Sequence, residues 1–301
     1  MAKAIKTIRR FNQVYKSFSF SEDAPAAEEE FLESMTELDE KGLVLSESRF
    51  ESGGELEEKS SYRYDSNGKT VEHVLLYAAE DMTEKRMMNR DEKGRLLEDV
   101  KYYGDDSGER VTYMYDDKDN LIERKYFDEE GELQSHETFA YDDKNSLTEH
   151  KKINAEGTVE EHRTFSHGAD HAVTENEYNP DGSLASTTMI TLDADGKEHS
   201  AVQTKADGKL ISSVQTSYDE HGNVIEKRFK DFYSKTVRYQ YDEHNRCTSH
   251  ELFDANGMLV RKNLFDYDDE GNPVAEQTYE MDTSRGGRDK HFGTRYEYEY
   301  W

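Results

Sequence analysis

His162, His167 and His171, with Asp170 beside the last, place four metal-competent side chains in the stretch EHRTFSHGADH. Such donors suit zinc or nickel. Their spacing matches no defined finger, and HGAD falls where a polar turn is due, so these three histidines are only weak candidates and no metal is expected. Segments such as DADG and DANG carry the oxygen ligands calcium takes. A calcium loop of the EF-hand type also needs a bidentate Glu at its twelfth position, whereas here a strand is due after the glycine. Turn capping already accounts for each Asp. Cys247, the single cysteine, occupies an aliphatic position of a repeat and is expected to pack near Tyr241 as a small apolar side chain. No nucleophile elbow, P-loop or dinucleotide fingerprint occurs, and carboxylate pairs identify nothing among 67 acids. No catalytic residue and no cofactor are expected.

The chain of 301 residues balances those 67 acids against 39 Lys and Arg, a net charge of -28, with 33% hydrophobic residues. So acidic and apolar-poor a composition points toward disorder, but 20 Tyr, 13 Phe and only 3 Pro point away from it. A strongly electronegative body excludes nucleic acid as a partner. No apolar run is long enough to cross a membrane, and MAKAIKTIRRFNQVYKSF carries charges where a secretory leader needs an apolar core. The expectation is a cytoplasmic protein without membrane insertion, and the lone thiol fits a reducing compartment.

The elements that position these residues come from an internal repeat. Seven residues recur: an aromatic or aliphatic, usually Asp, two polar residues, Gly or a substitute, one polar residue, and usually an aliphatic. Clear copies begin at Leu38, Tyr64, Tyr115, Phe127, Tyr141, Tyr178, Tyr218, Tyr241, Phe253 and Tyr267, and weaker ones at Phe50, Arg90, Ile153, Leu192 and Thr204. Steps alternate between 12 and 14 residues, about 26 per pair. In YNPDGSL, Asn179 caps, Pro180 presets φ and Gly182 takes φ > 0, the requirements of a type I turn followed by a left-handed residue. Asn145 and Asn245 stand in for that glycine.

Each copy therefore predicts one hairpin turn and one strand. A three-residue loop sets position 1 opposite position 7: Tyr178 against Leu184, Phe127 against Leu133, Phe253 against Leu259. The even count from position 7 to the next position 1 predicts that both project from one face, giving an apolar rail along each turn edge. An odd interval such as Arg90 to Tyr115 requires a bulge. The fold expected is all-β, a long antiparallel meander of about twenty strands in an elongated, twisted or curled sheet, with single-layer stretches allowed.

The ends differ from the middle. Residues 1–30 form a basic arm and acidic leader, with Lys3, Lys6, Arg9, Arg10 and Lys16 expected to pair with the chain's own acids, and a short helical turn suggested over Pro25–Glu30. Residues 31–280 form the array. Residues 281–301 form a basic loop and a closing strand whose period-2 pattern places Tyr296, Tyr298 and Tyr300 on one face.

YDDKDNL, FDEEGEL, YDEHGNV and FDANGML resemble the YD repeats of Rhs and teneurin-like proteins and, more loosely, the hairpin repeats of the MORN class. The resemblance covers most of residues 38–273 and implies β-sheet architecture and contact with other polypeptides. It carries over no catalytic residue, toxin region or cleavage motif. The function expected is a non-enzymatic binding scaffold offering an acidic, tyrosine-rich sheet to a protein partner, through Tyr115, Tyr141, Tyr218, Tyr241 and Tyr267 on the rails and Tyr296, Tyr298 and Tyr300 at the end. Free sheet edges would allow self-association. The alternatives are an acidic mimic that inhibits a basic nucleic-acid-binding protein and a carbohydrate-binding repeat protein.

Overall fold

The computed structural model describes residues 3–15, 27–104, 108–168, 172–282 and 288–301. Among them every regular element is a β-strand. In chain order these are β1 Ile5–Tyr15, β2 Glu29–Leu38, β3 Val44–Phe50, β4 Leu56–Tyr64, β5 Thr70–Tyr77, β6 Met82–Arg90, β7 Leu96–Tyr102, β8 Gly108–Tyr115, β9 Leu121–Phe127, β10 Leu133–Tyr141 and β11 Leu147–Asn154. They continue as β12 Val159–His167, β13 Ala172–Tyr178, β14 Leu184–Leu192, β15 Glu198–Lys205, β16 Leu210–Tyr218, β17 Val224–Lys230, β18 Lys235–Tyr241, β19 Cys247–Phe253, β20 Leu259–Tyr267, β21 Pro273–Glu280 and β22 Lys290–Tyr300. Every described pairing is antiparallel. The helical turn expected over Pro25–Glu30 does not form in its described part, because Glu29 and Glu30 already pair with Val14 and Gln13 as the start of β2.

Contacts divide the chain into two units. One comprises Met1–Tyr62, Leu75–Met82 and Thr216–Trp301, the other Arg63–Val74 and Thr83–Gln215. In the second unit, β6 to β16 pair successively in chain order. In the first, the ladder runs from β17 through β22, passes to β1, and continues through β2 and β3 to β4. The last strand thus lies against the first, so β1 and β22 each have two neighbours. An open meander with free terminal strands is not what forms. The strand YEYEY supplies the reason: its tyrosines stand opposite Arg10, Ile8 and Ile5 of β1.

The repeat builds its turns as its residues require. Asp142 donates its N–H to Ser146 O at 2.9 Å, Asn145 donates to Asp142 O at 3.2 Å, and Asn145 sits at φ 64. Gly182 takes φ 82 in the equivalent slot. There the Ser183 N–H goes to Asp181 Oδ1 at 2.9 Å, while Asn179 Nδ2 bonds Ser183 Oγ. Tyr178 faces Leu184, Phe127 faces Leu133 and Phe253 faces Leu259.

Beyond that first pair the register shifts by one residue. Tyr141 is opposite Leu147, but Ala140 is opposite Glu149 and Phe139 opposite His150. The same shift follows the turns at Arg90, Tyr115, Tyr241 and Phe253. Two residues of one strand thus oppose one of the other, a bulge that upsets the count of alternating faces. His150 shares the face of Leu147 and Tyr141, and Ile153 falls on the opposite one. The one-face rails of the parity argument are corrected accordingly: within each unit the rings at the two turn edges project from opposite faces.

Neither unit has a dry core. Among the described residues Tyr279, 2% exposed, is the one buried apolar side chain, whereas Asp99 and Glu137 are 4% and 5% exposed. Stability accordingly rests on ladders, turns and contacts between neighbouring strands. At the N-terminus Lys6 and Arg9 reach Glu299 at 3.3 and 3.4 Å and Arg10 reaches Glu33 at 3.2 Å, while Lys16 lies outside the described residues.

Candidate binding surface

Along one turn edge of each unit, position 1 reaches back to the preceding turn of that edge. In the second unit Tyr115 donates its hydroxyl to Leu96 O at 2.9 Å and Tyr141 to Leu121 O at 3.0 Å. In the first, Tyr241 donates to Val224 O at 2.9 Å, Tyr267 to Cys247 O at 2.8 Å and Tyr298 to Pro273 O at 2.7 Å. The acceptor is each time a position-7 carbonyl. Burial pushes the Tyr115, Tyr141, Tyr241 and Tyr267 hydroxyls above their ordinary range, and Tyr298 is pushed up to about 12. Arginines cover two of the rings, Arg95 over Tyr115 at 4.8 Å and Arg246 over Tyr267 at 4.9 Å. Tyr218 and Tyr296 are half-buried, and Tyr300 accepts from Asn272 Nδ2 at 3.3 Å. Tyr115, Tyr141, Tyr241, Tyr267 and Tyr298 are thus brought to turn edges, where they position turns.

His167 fills the same role. It stands 26 residues after Tyr141, and its Nε2 meets Leu147 O at 3.0 Å. His162 meets Glu149 at 2.9 Å and stacks on Tyr178 at 4.7 Å. Asp170 and His171 lie outside the described residues. No group of three metal-ligating side chains occurs among the described residues. Cys247 pairs with Tyr241 across its hairpin, and burial pushes its thiol up.

What these clamps hold outward is acidic. Asp142 Oδ1 accepts N–H groups from Lys144 and Ser146 at 2.9 and 2.8 Å, and chiefly the Ser146 bond holds its carboxyl below the usual range. At Asp254 the Met258 N–H leads in the same way. The residue after this capping Asp points to solvent. In the second unit it is Glu92, Asp117 and Asp143 at successive turns of one edge. In the first it is Glu40, Glu220, Glu243 and Asp269, with Glu220 and Glu243 88% exposed. Adjacent turns touch, through Asn120 and Asn145 at 3.4 Å in one unit and Asn223 and Asn245 at 3.0 Å in the other. Two strand spacings separate them, so each edge carries a carboxylate about every 9–10 Å. The repeat's third position carries this signal in the sequence.

The second unit also holds a polar network between strands. Glu137 accepts from Arg124 at 2.6 Å and Tyr126 at 2.7 Å and meets His150 at 3.0 Å. Burial raises its pKa, but those bonds outweigh burial and the carboxyl titrates below its ordinary value. Asp99 is paired with Arg86 nearby. All of these charges are spent on each other.

One hairpin departs from the pattern. Between β17 and β18 the seven-residue frame reads FKDFYSK, with Phe229 opposite Lys235 as usual. Lys230 stands where the capping Asp belongs and Tyr233 where Gly or Asn belongs. Phe232 and Tyr233 at its tip are 99% and 84% exposed.

A family model described only as an uncharacterised protein matches residues 64–198. No curated protein matches. Among solved structures, a porin-like protein from Bacteroides uniformis is similar with 12% identity and a TM-score of 0.33, covering 98% of both chains. The complex TcdB2-TccC3 without its hypervariable C-terminal region gives 14% identity and a TM-score of 0.26, covering 84% of this chain and 17% of that one. The Photorhabdus luminescens Tc holotoxin pore gives 10% and 0.21, covering 86% and 22%. Likenesses this distant carry no argument about function.

Proposed function

We propose that the protein is a non-enzymatic binding scaffold whose turn edges engage a basic polypeptide. The observation that carries this reading is the row of exposed third-position carboxylates, held at regular spacing by tyrosine clamps. A polyproline II chain advances about 3.1 Å per residue and returns to the same face every third residue, so a basic side chain at every third position keeps step with the row. The tyrosines serve as the frame for that surface, and the heptad is read as a YD-type hairpin repeat on YDDKDNL and YDEHGNV. The lone half-buried thiol supports a reducing cytoplasm as its location. Mimicry of nucleic acid is less favoured, because phosphates recur far more closely than the carboxylates do. Carbohydrate stacking is less favoured because arginines cover rail rings.

A fluorescent decalysine peptide tests the proposal. Neutralising Glu220, Glu243 and Asp269 together (E220Q, E243Q, D269N) is expected to weaken binding at least fivefold at low salt. Neutralising Glu129, Glu130 and Glu132 on a different turn is expected to leave it unchanged. Equal effects of the two triple variants would reduce the attraction to general charge and overturn the reading.

A further inference from the structure

We propose that the β17–β18 hairpin is a membrane-surface anchor, inserting Phe232 and Tyr233 into the interface of an anionic lipid bilayer. No other large apolar side chain among the described residues approaches their exposure: Trp301 and Met189 follow at 53% and 52%. The two rings are adjacent, and both project from a tip where Asp231 Oδ1 accepts the Tyr233 N–H at 2.6 Å. At every other described turn of this frame the fourth and fifth positions hold only polar residues or glycine.

Charge says which surface such a tip fits. Residues 224–241 carry five cations, Lys227, Arg228, Lys230, Lys235 and Arg238, against Glu226 and Asp231, in a chain of net charge -28. Glu226 is occupied by Arg228 at 2.7 Å and Arg238 at 3.0 Å. Lys230 and Lys235, exposed on either side of the rings, form no ion pair among the described residues; Lys235 lies over Phe229 at 5.0 Å. Aromatic rings flanked by lysines whose stems reach back to the headgroups are the composition that partitions into a lipid interface. The acidic turns at Glu220, Glu243 and Asp269 lie at the other end of these strands. Their repulsion from anionic headgroups fades within about 8 Å at physiological salt, so it orients the tip toward the bilayer.

A protein partner fits less well. Two rings bury about 300–500 Å², short of the roughly 800 Å² each side of a stable protein interface contributes. Single-stranded nucleic acid needs a groove that follows several nucleotides, and a convex tip offers none. A lipid surface demands neither matching shape nor added area. No run of the chain is apolar enough for a membrane-spanning helix, and this mode needs none, since it uses two residues at a tip.

The test is co-sedimentation of the full chain with phosphatidylcholine vesicles containing 30% phosphatidylserine, against pure phosphatidylcholine vesicles. Wild type is expected to bind the anionic vesicles preferentially, with binding weakened by salt and unaffected by millimolar glycerophosphoserine. F232S/Y233S is expected to lower the bound fraction at least tenfold while leaving the thermal midpoint unchanged, because the rings make no contact that folding uses, and K230E/K235E is expected to lower the bound fraction as much. F232W in a W301F background, with the tip aromatic retained, is expected to show blue-shifted emission on anionic vesicles. Failure of wild type to bind either vesicle, equal binding by the ring variant, or an unshifted tryptophan overturns the proposal. So does finding that the ring variant instead abolishes self-association in sedimentation velocity or binding to a labelled oligothymidine.

Discussion

Two hairpins that share β18 use the same seven-residue frame to opposite ends. At Tyr241–Cys247, Asp242 caps the N–H groups of His244 and Arg246 at 2.9 Å each, Asn245 takes φ 60, and the Tyr241 hydroxyl holds Val224 O. At Phe229–Lys235 the cap position is Lys230 and the left-handed position is Tyr233, which does not adopt positive φ. The first turn is tied down at three points and shows polar atoms to solvent. The second keeps the strand pairing and one side-chain cap, and shows two bare rings. The pairing of positions 1 and 7 is therefore enough to make a hairpin, while the residues between them decide whether its tip is structure or surface.

Acid should separate the two kinds of turn most strongly, because many capped turns respond together. Nine turn aspartates, from Asp91 to Asp268, have pKa values lowered in the folded state. A lowered folded value contributes stability that is complete above the unfolded pKa of about 3.9 and is lost as pH falls through the folded value. In 0.5 M salt, which screens long-range charge, the urea midpoint should hold from pH 7 to 5 and fall steeply below about pH 4. A flat midpoint down to pH 2.5 would mean that the caps contribute nothing. The clamp comes next. Tyr241→Ala should destabilise by about 2–3 kcal/mol through loss of ring packing, and Tyr241→Phe by about 1 kcal/mol through loss of the hydroxyl bond alone. If Tyr241→Phe is neutral in urea denaturation, the hydroxyl does not hold the turn.

The strand boundaries were legible because position 7 opens a strand and the next position 1 ends it, as in β9 from Leu121 to Phe127 and β14 from Leu184 to Leu192. The pairing of β22 with β1 was prefigured in the alternation of YEYEY. The bulge was not legible, because the residues it adds, such as Thr148, Ile122 and Leu97, carry no backbone signature of a bulge. Missing it put rings of both edges on one face. His167 is a weak metal candidate by residue type, and its 26-residue distance from Tyr141 is the signal of its turn-edge role. The β17–β18 turn lacks the repeat's signature in the sequence, since Tyr233 fills the glycine slot. The acidic row lay in the third position, where charge is so common in this chain that its alignment emerges only once the turns are stacked.

The smallest effects refine the comparison at its centre, the left-handed slot. Asn245 at φ 60 tolerates a conformation that costs most L-residues about 1–2 kcal/mol, and glycine meets it freely elsewhere in the array. Asn245→Ala should therefore destabilise by about 1 kcal/mol, with Asn245→Gly lying close to wild type. The matched change at the neighbouring tip, Tyr233→Ser, should shift stability by less than about 0.5 kcal/mol, because that side chain is exposed and its backbone is not left-handed. Urea denaturation of the three variants decides the point. Equal losses at Asn245 and Tyr233 would show that the tip is as tightly built as the capped turn, and its rings would then have to be counted as structure.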